Sequence, residues 1–316
     1  MEVAMTAWLS VAKAMVAADS CIIMQVMRTS LFHENLPAEK LPALEQAMLD
    51  NVLGALAEDI GSSDYTAQLI PAGKTARATI VCRQPAVICG LPWAQQCFVQ
   101  LDRNIDIDWQ VKEGENVRAN RVLATISGNA RAMLTAERSA LNFLQLLSAT
   151  ATETHQFVNA VAGTRAAILD TRKTLPGLRL AQKYAVLAGG GMNQRMGLHD
   201  GILIKENHIA AAGGIAQALQ QAHAINRDIP VQIEVENLQE LQLALEAGEA
   251  SVLLDNFSHS DLAEAVRLNQ GRALLEASGG ITLKNVRTVA LTGVDRISIG
   301  HLTKDIQAID LSMRFE

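Results

Sequence analysis

The amino-acid sequence predicts an α/β protein in two parts: a β-rich N-terminal half, then a C-terminal half of repeated βα units forming a shortened or open α/β barrel. Three observations carry this. Apolar residues make up 49% of the 316 residues but aromatic ones only 3%, so the interior is built from Ala, Leu, Ile and Val, as parallel strands sheathed by helices require. Pro and Gly punctuate short alternating runs ahead of residue 130, as between antiparallel strands. Beyond residue 161, apolar runs that end on polar residues alternate with helical stretches. The length suffices for one large domain or two smaller ones, and the change of character favours two.

Residues 1–26 are rich in Ala, Val and Met, but Lys13 and Asp19 interrupt them and no basic start precedes a clean apolar run. They read as an N-terminal extension ahead of Met27, and neither as a signal peptide nor as a membrane span. Over residues 41–57 apolar side chains recur at helical spacing (Leu41, Leu44, Ala47, Met48, Val52, Leu56), and Glu58-Asp59-Ile60-Gly61 ends the helix. Residues 76–82 and 105–111 alternate as strands, with Pro71, Gly73, Pro85, Gly90 and Pro92 as turns between them. The unit from Val111 through Gly114 and Val117 to Ile126 has the pattern of half a lipoyl or biotinyl carrier. A carrier needs a lysine at the hairpin tip, where this chain has Arg118-Ala119-Asn120-Arg121, so the unit reads as a structural hairpin. A long helix is predicted over residues 130–161 (Met133, Ala136, Ala140, Leu141, Leu144, Leu147). After it, strand-like runs end at Asp170, Lys205, Glu234, Asp255, Glu276 and Ile299, with helical stretches at 215–225, 238–247 and 262–268. Six or seven such units are too few for an eightfold barrel.

Composition excludes several functions. The net charge of −6, from 27 basic and 33 acidic residues, offers no field for a polyanion, and the scarcity of aromatics offers no platform for stacked bases, so nucleic acid is not an expected partner. Cys21, Cys82, Cys89 and Cys97 have neither the close pairs of a zinc site nor the density of a disulfide framework, and read as buried thiols in a reducing cytosol. His33, His155, His199, His223 and His259 lack metal-ligand spacing.

In α/β barrels the chemistry sits at the carboxyl ends of the strands. Those ends read Asp170-Thr171-Arg172-Lys173, Lys205-Glu206-Asn207-His208, Glu234 with Glu236, Asp255-Asn256, Ser278-Gly279-Gly280 and Gly300-His301. Arg172, Lys173, Arg195 and Lys205, with Arg138 from the long helix, form a cationic set suited to a small substrate with planar carboxylates. Ser278-Gly279-Gly280 and Ser298-Ile299-Gly300 each end a strand before a helix, where backbone N–H groups can cradle phosphate, although glycine at such a turn also serves simply to make it. Glu234 and Asp255 could hold ribose hydroxyls, coordinate Mg²⁺ or stabilise positive charge on a sugar carbon; as a bland alternative, they neutralise the basic cluster. Glu236 shares a strand face with Glu234, so spacing alone does not separate them.

Six motifs resemble the quinolinate phosphoribosyltransferase family, from about residue 58 to the C-terminus: Glu137-Arg138-Ser139-Ala140-Leu141-Asn142, Asp170-Thr171-Arg172-Lys173-Thr174-Leu175-Pro176-Gly177-Leu178-Arg179, Leu203-Ile204-Lys205-Glu206-Asn207-His208, Leu254-Asp255-Asn256-Phe257, Glu276-Ala277-Ser278-Gly279-Gly280-Ile281 and Ile297-Ser298-Ile299-Gly300. The resemblance implies a type II phosphoribosyltransferase architecture: an N-terminal α/β sandwich domain (27–137), a shortened, open α/β barrel catalytic domain (138–301), and a tail (302–316) packing back on the sandwich. It implies a cytoplasmic homodimer in which Arg138 reaches into the partner's site. The implied reaction is quinolinate with phosphoribosyl pyrophosphate and Mg²⁺ giving nicotinate mononucleotide, pyrophosphate and CO₂, a step in NAD biosynthesis.

Carried over by residue, the resemblance assigns Arg138, Thr171, Arg172, Lys173, Gln194, Arg195 and Lys205 to quinolinate. Lys173, Glu234, Asp255, Ser278, Gly279, Gly280, Gly300 and the adjoining His301 fall to phosphoribosyl pyrophosphate. Lys173, Glu234 and Asp255 are then the catalytic set, and Glu234 and Asp255 the Mg²⁺ contacts, direct or through the substrate. Glu234 is preferred to Glu236 because it has the family's separation from the Leu-Asp-Asn-Phe aspartate. Two residues depart from the family pattern. Gln194 stands where a His usually precedes the Arg, and a neutral donor there is expected to weaken one carboxylate contact by about 0.5–2 kcal/mol. His301 stands where small residues are common, and reads as a surface or barrel-rim histidine. The rivals are a paralogous phosphoribosyltransferase acting on another acid, such as nicotinate, and a non-catalytic metabolite-binding relative. Arg172 with Arg195 favours a dicarboxylate, and the presence of Glu234 and Asp255 favours a catalyst.

Overall fold

The computed structural model describes residues 31–316; the extension expected over 1–26, with Cys21, lies outside the described residues. Helix α1 (Leu41–Ile60) carries Pro in its first turn, where the missing N–H has no intrahelical partner to lose, and stops at Gly61, whose φ of 56° an L side chain adopts with difficulty. It buries Leu44, Met48, Leu49, Val52 and Leu56, a stripe at three- and four-residue spacing. β1 (Thr75–Cys82) and β2 (Ala86–Val87) follow. Residues 91–101, read from the sequence as part of a turn-rich β region, instead form helix α2 (Leu91–Leu101). Pro92 lies in its first turn, so the residue that suggested a turn marks a helix start. The buried Glu113 carboxylate caps this helix, accepting from the N–H of Gly90 at 2.8 Å and of Leu91 at 2.6 Å.

After β3 (Asp106–Trp109) come β4 (Asn116–Val117) and β5 (Arg121–Asn129). The expected hairpin is not a pair: β4 hydrogen-bonds to β2 while β5 pairs with β1 and β3, so the turn at 118–120 carries the chain from one sheet to another. Helix α3 (Ala130–Ala160) begins on Asn129, whose side chain accepts from Ala132 N at 3.1 Å. It passes unbroken through 137/138. Its residues to Ala151 join a first core with Trp93, Phe98, Ile80 and Leu123, while Phe157 opens a second core under the parallel sheet.

The second half runs β6 (Ala167–Leu169), α4 (Arg179–Ala188), β7 (Ile202–Ile204), α5 (Glu206–Ala212), α6 (Ile215–Ile225), β8 (Val231–Val235), α7 (Leu238–Glu246), β9 (Ser251–Asp255), α8 (His259–Asn269), β10 (Leu274–Ser278), α9 (Val286–Leu291), β11 (Arg296–Ser298) and α10 (His301–Lys304). The six strands form one parallel sheet in the order β6-β11-β10-β9-β8-β7. Its two edges are the consecutive strands β6 and β7, so the barrel is open between them. β10 extends to Ser278, beyond the strand end expected at Glu276. Ile233, Val235, Val252, Leu254, Leu275, Ala277 and Ile297 pack in the core against the helices. By the two-residue alternation of strands, Gln232, Glu234, Asp255, Glu276, Ser278 and Ser298 line the barrel interior. The last strand, β12 (Leu311–Phe315), returns to pair antiparallel with β1, giving the N-terminal sheet the order β12-β1-β5-β3.

Candidate active site

The loop after β6 is fixed from below. Asp170 and Lys183 of α4, both side chains fully buried, form an ion pair. Asp170 also accepts from Asn193 Nδ2 at 2.7 Å and Gln194 N at 2.9 Å, and Lys183 Nζ donates to Gln194 O at 2.8 Å. Burial pushes the Asp170 carboxyl up to about 6 and the Lys183 ammonium down, while each charge supports the other. The pair thus ties the 193–195 segment to the strand end that carries Thr171, Arg172 and Lys173.

Above this anchor the charges of two arginines, Arg172 and Arg195, feel one another. Burial first, and then the neighbouring Arg172 charge, draw Arg195 below the ordinary guanidinium value. Arg195 Nη1 donates to Gly201 O at 2.7 Å, and Arg172 Nε is buried with no hydrogen-bond partner among the described residues. Two guanidiniums within electrostatic reach of one another, one with an unanswered buried donor, suit an anion with several acceptor oxygens. Arg179 ties their loops together: its Nε donates to Thr174 Oγ1 at 3.2 Å and its Nη1 to Met196 O at 3.1 Å.

Lys205 follows β7 and Glu234 lies in β8. The ammonium reaches both carboxylate oxygens, at 2.9 and 2.6 Å. Glu236 is exposed, so the choice between the two glutamates that spacing left open has a geometric counterpart in this pair. Asp255 ends β9 with Asn256 Nδ2 donating to its Oδ2 at 2.8 Å, and it stands in register with Ser278. Gly279 has φ of 97°, and a Cβ on it would collide with the Asn256 side chain, so this turn tolerates only glycine. At the last strand end, a Cβ on Gly300 would stand 3.1 Å from Lys173 Cδ and 3.7 Å from Thr171 Oγ1, which places Lys173 and Thr171 beside the second glycine turn. Thr303 Oγ1 donates to Lys173 O at 2.9 Å and holds the loop there.

Two residues sit differently from the sequence reading, and a third stands clear of its own chain's site. Gln194 does not present a free amide: its Nε2 donates to Glu276 Oε2 at 2.6 Å and Gln232 Oε1 at 3.1 Å. His301, the first residue of α10, stacks edge-on against Phe157, centroids 5.0 Å apart, and lies 3.0 Å from Glu153 Oε1. Arg138 is exposed on α3, with no hydrogen bond or ion pair among the described residues. The sequence reading passed over Lys183, Arg179, Gln232 and Glu276. Arg179 closes one quoted motif and Glu276 opens another, which were signals; Lys183 and Gln232 are polar residues whose roles appear only with their partners.

Residues 64–148 match the model of the N-terminal domain of quinolinate phosphoribosyl transferase, and residues 150–314 that of its C-terminal domain. The chain belongs to the quinolinate phosphoribosyltransferase family. The two family domains meet inside α3, near the point where its contacts pass from the first core to the second. A relative from Mycobacterium leprae, a nicotinate-nucleotide pyrophosphorylase (carboxylating), is 40% identical over 277 residues, 84% of this chain and 96% of its own. A Synechocystis relative, a probable nicotinate-nucleotide pyrophosphorylase (carboxylating), is 42% identical over 264 residues, 82% of this chain and 89% of its own. The solved structure of the nicotinate-nucleotide pyrophosphorylase from Francisella tularensis superimposes with a TM-score of 0.84 at 45% identity, over 86% of this chain and 97% of that one. The two-domain fold of the quinolinate phosphoribosyltransferase family, a separate N-terminal unit followed by an open parallel barrel, is therefore the fold of this chain.

Proposed function

We propose that this chain transfers phosphoribosyl from phosphoribosyl pyrophosphate to quinolinate with decarboxylation, giving nicotinate mononucleotide, pyrophosphate and CO₂ in de novo NAD biosynthesis. The observation that carries the reading is the juxtaposed Arg172 and Arg195 with the buried, unanswered Nε of Arg172. A monocarboxylate would satisfy one guanidinium fork; a ring with two adjacent carboxylates satisfies both. The names of the relatives point the same way.

In this reading Arg172, Arg195 and Lys205, with Thr171 and Lys173, fix the pyridine so that its nitrogen faces the anomeric carbon. Lys173, Ser278, Gly279, Gly280 and Gly300 receive the phosphates of the second substrate. The C–O bond to pyrophosphate breaks and the pyridine nitrogen supplies the electron pair to C1 of the ribose. Glu234 and Asp255 stabilise the positive charge that develops there. The adjacent carboxylate then leaves as CO₂, its C–C bond pair staying on the ring carbon, where the positive charge of the neighbouring quaternised nitrogen stabilises it until a proton takes it up. No covalent intermediate with the chain is required.

Among the described residues no group of three or more His, Cys, Asp or Glu is arranged to hold a metal ion. Mg²⁺ commonly binds through one or two carboxylates plus substrate phosphates, and Asp255 with Glu234 at neighbouring strand ends fits that donor set. The ion would neutralise charge on the leaving pyrophosphate. The exposed, unpaired Arg138 supports a homodimer in which it serves the partner's site. Cys82, Cys89 and Cys97 are free and buried, which suits the cytoplasm, and no helix among the described residues is long and apolar enough to cross a membrane. The test is to incubate the protein with quinolinate, phosphoribosyl pyrophosphate and Mg²⁺ and follow nicotinate mononucleotide, with nicotinate in parallel. Product from quinolinate alone is expected; product from nicotinate alone, or from neither, would overturn the assignment.

A further inference from the structure

Gln194 has no side-chain proton left for a substrate. A primary amide has two N–H groups, and both are spent inside the barrel, on Glu276 Oε2 at 2.6 Å and Gln232 Oε1 at 3.1 Å. Its Oε1 accepts the backbone N–H of Arg195 at 3.1 Å. The partners fix which end of the amide is which. A backbone N–H only donates and a carboxylate only accepts, so a reversed amide would set donor against donor and acceptor against acceptor. Gln232 Nε2 closes a ring by donating to the same Glu276 oxygen at 3.0 Å.

The ring lies within the interior face of the sheet, two residues before Glu234 on β8 and two before Ser278 on β10. Glu276 is 1% exposed and Gln232 9%, and Glu276 Oε1 has no partner among the described residues. A carboxylate so deeply placed is held by its hydrogen bonds, and here two neutral amides supply them without a countercharge. The backbone of Gln194 is clamped on both sides, its N–H by Asp170 at 2.9 Å and its carbonyl by Lys183 at 2.8 Å. Gln194 therefore joins two rigid networks and hands their geometry to the next residue, Arg195.

We propose that Gln194 is a positioning residue: with Gln232 and Glu276 it forms a buried ring that fixes the backbone of Arg195 and, through it, the guanidinium that grips one carboxylate of the substrate. The inference rests on the quinolinate reading above. It separates affinity for the acid, which depends on the ring, from affinity for phosphoribosyl pyrophosphate, which does not. It also makes Gln232, with no contact to the substrate, as important to the acid as Gln194.

The test uses Gln194→Met, Gln232→Met and the double variant, each close to the glutamine in length and unable to form the ring. Quinolinate binding is measured by calorimetry, and KM for both substrates by steady-state kinetics. Each single variant is expected to weaken quinolinate about tenfold, the scale of one net hydrogen bond. The double variant should be no weaker than the worse single, as for residues acting in one unit, with KM for phosphoribosyl pyrophosphate within about twofold. Loss of quinolinate affinity in Gln194→Met but not in Gln232→Met, or a double variant at the product of the two, would make Gln194 a direct ligand and overturn the proposal. Unchanged binding in both would do the same. Should Gln232→Met fail to fold, Glu276→Gln, which keeps the shape but removes the charged acceptor, is expected to weaken quinolinate and spare phosphoribosyl pyrophosphate. Wild-type protein that does not bind quinolinate overturns the substrate assignment, whereas wild-type binding with unaffected variants overturns the ring alone.

Discussion

Lys205 holds both carboxylate oxygens of Glu234, at 2.9 and 2.6 Å, across the ends of two neighbouring parallel strands. The carboxylate is thus already matched by a cation; under the proposed assignment quinolinate would give Lys205 a second anion, and charge on the ribose would give Glu234 a second cation. Glu234→Gln keeps the shape and removes the charge, so kcat is expected to fall about 100-fold or more with quinolinate KM within about threefold. Lys205→Met is expected to act chiefly on quinolinate KM. Steady-state kinetics of the two variants tests this division.

Gly279→Ala adds a Cβ where the Asn256 side chain stands and where φ is 97°. Strain of this kind costs about 1–3 kcal/mol, and it falls on the turn assigned to phosphate. The variant should melt earlier than wild type and show KM for phosphoribosyl pyrophosphate raised about tenfold or more, with quinolinate affinity little changed. An unaltered phosphate affinity would show that this turn does not face the phosphates.

Arg172→Lys keeps the positive charge but loses the planar fork and the buried Nε. Quinolinate should bind about 10- to 100-fold more weakly, with nicotinate affected much less, in calorimetric titrations.

If Arg138 serves the partner's site, Arg138→Ala and Glu234→Gln damage opposite halves of each site. Equal mixtures of the two inactive proteins, allowed to exchange subunits, should regain about a quarter of wild-type activity, because half the dimers are mixed and each has one intact site. No recovery despite exchange would place Arg138 in its own chain's site or in none.

Glu113 is pushed up to about 7, by burial above all, although Tyr184, Leu91, Cys89 and Gly90 donate to it. A carboxyl raised in the folded state binds a proton on folding, so its contribution is fully present below about 4.5 and is lost as pH rises through 7. The loss is about 3 kcal/mol. Glu113→Gln should therefore flatten the decline in stability between pH 5 and pH 8, read from denaturant melts at both. An unchanged slope would show that Glu113 is not its source.

The parallel half was legible because its strands are apolar runs with polar ends: α6 (Ile215–Ile225) falls where the spacing predicts, and the six strand ends carry the residues that the structure brings to one mouth. The N-terminal half was harder. Pro92 signals a turn and a helix start equally well, and β4 and β5 look like a hairpin although each pairs elsewhere. In the site, the residues assigned to a substrate are recognisable by type and motif. Those that support them, Lys183 under Asp170 and Gln232 against Glu276, were not, since a buried polar residue is indistinguishable in sequence from a solvated one until its partner is known.

β12 pairs with β1 across more than two hundred intervening residues, Ala78 opposite Phe315 and Cys82 opposite Leu311. During synthesis the parallel barrel, contiguous from β6 to β11, can assemble as it leaves the ribosome, but the N-terminal sheet must wait with an open edge on β1 until the last strand is translated. The edge thus left exposed carries Ile80 and Val81, so a nascent chain stalled before residue 311 would be a natural client for chaperones that mask unpaired strands.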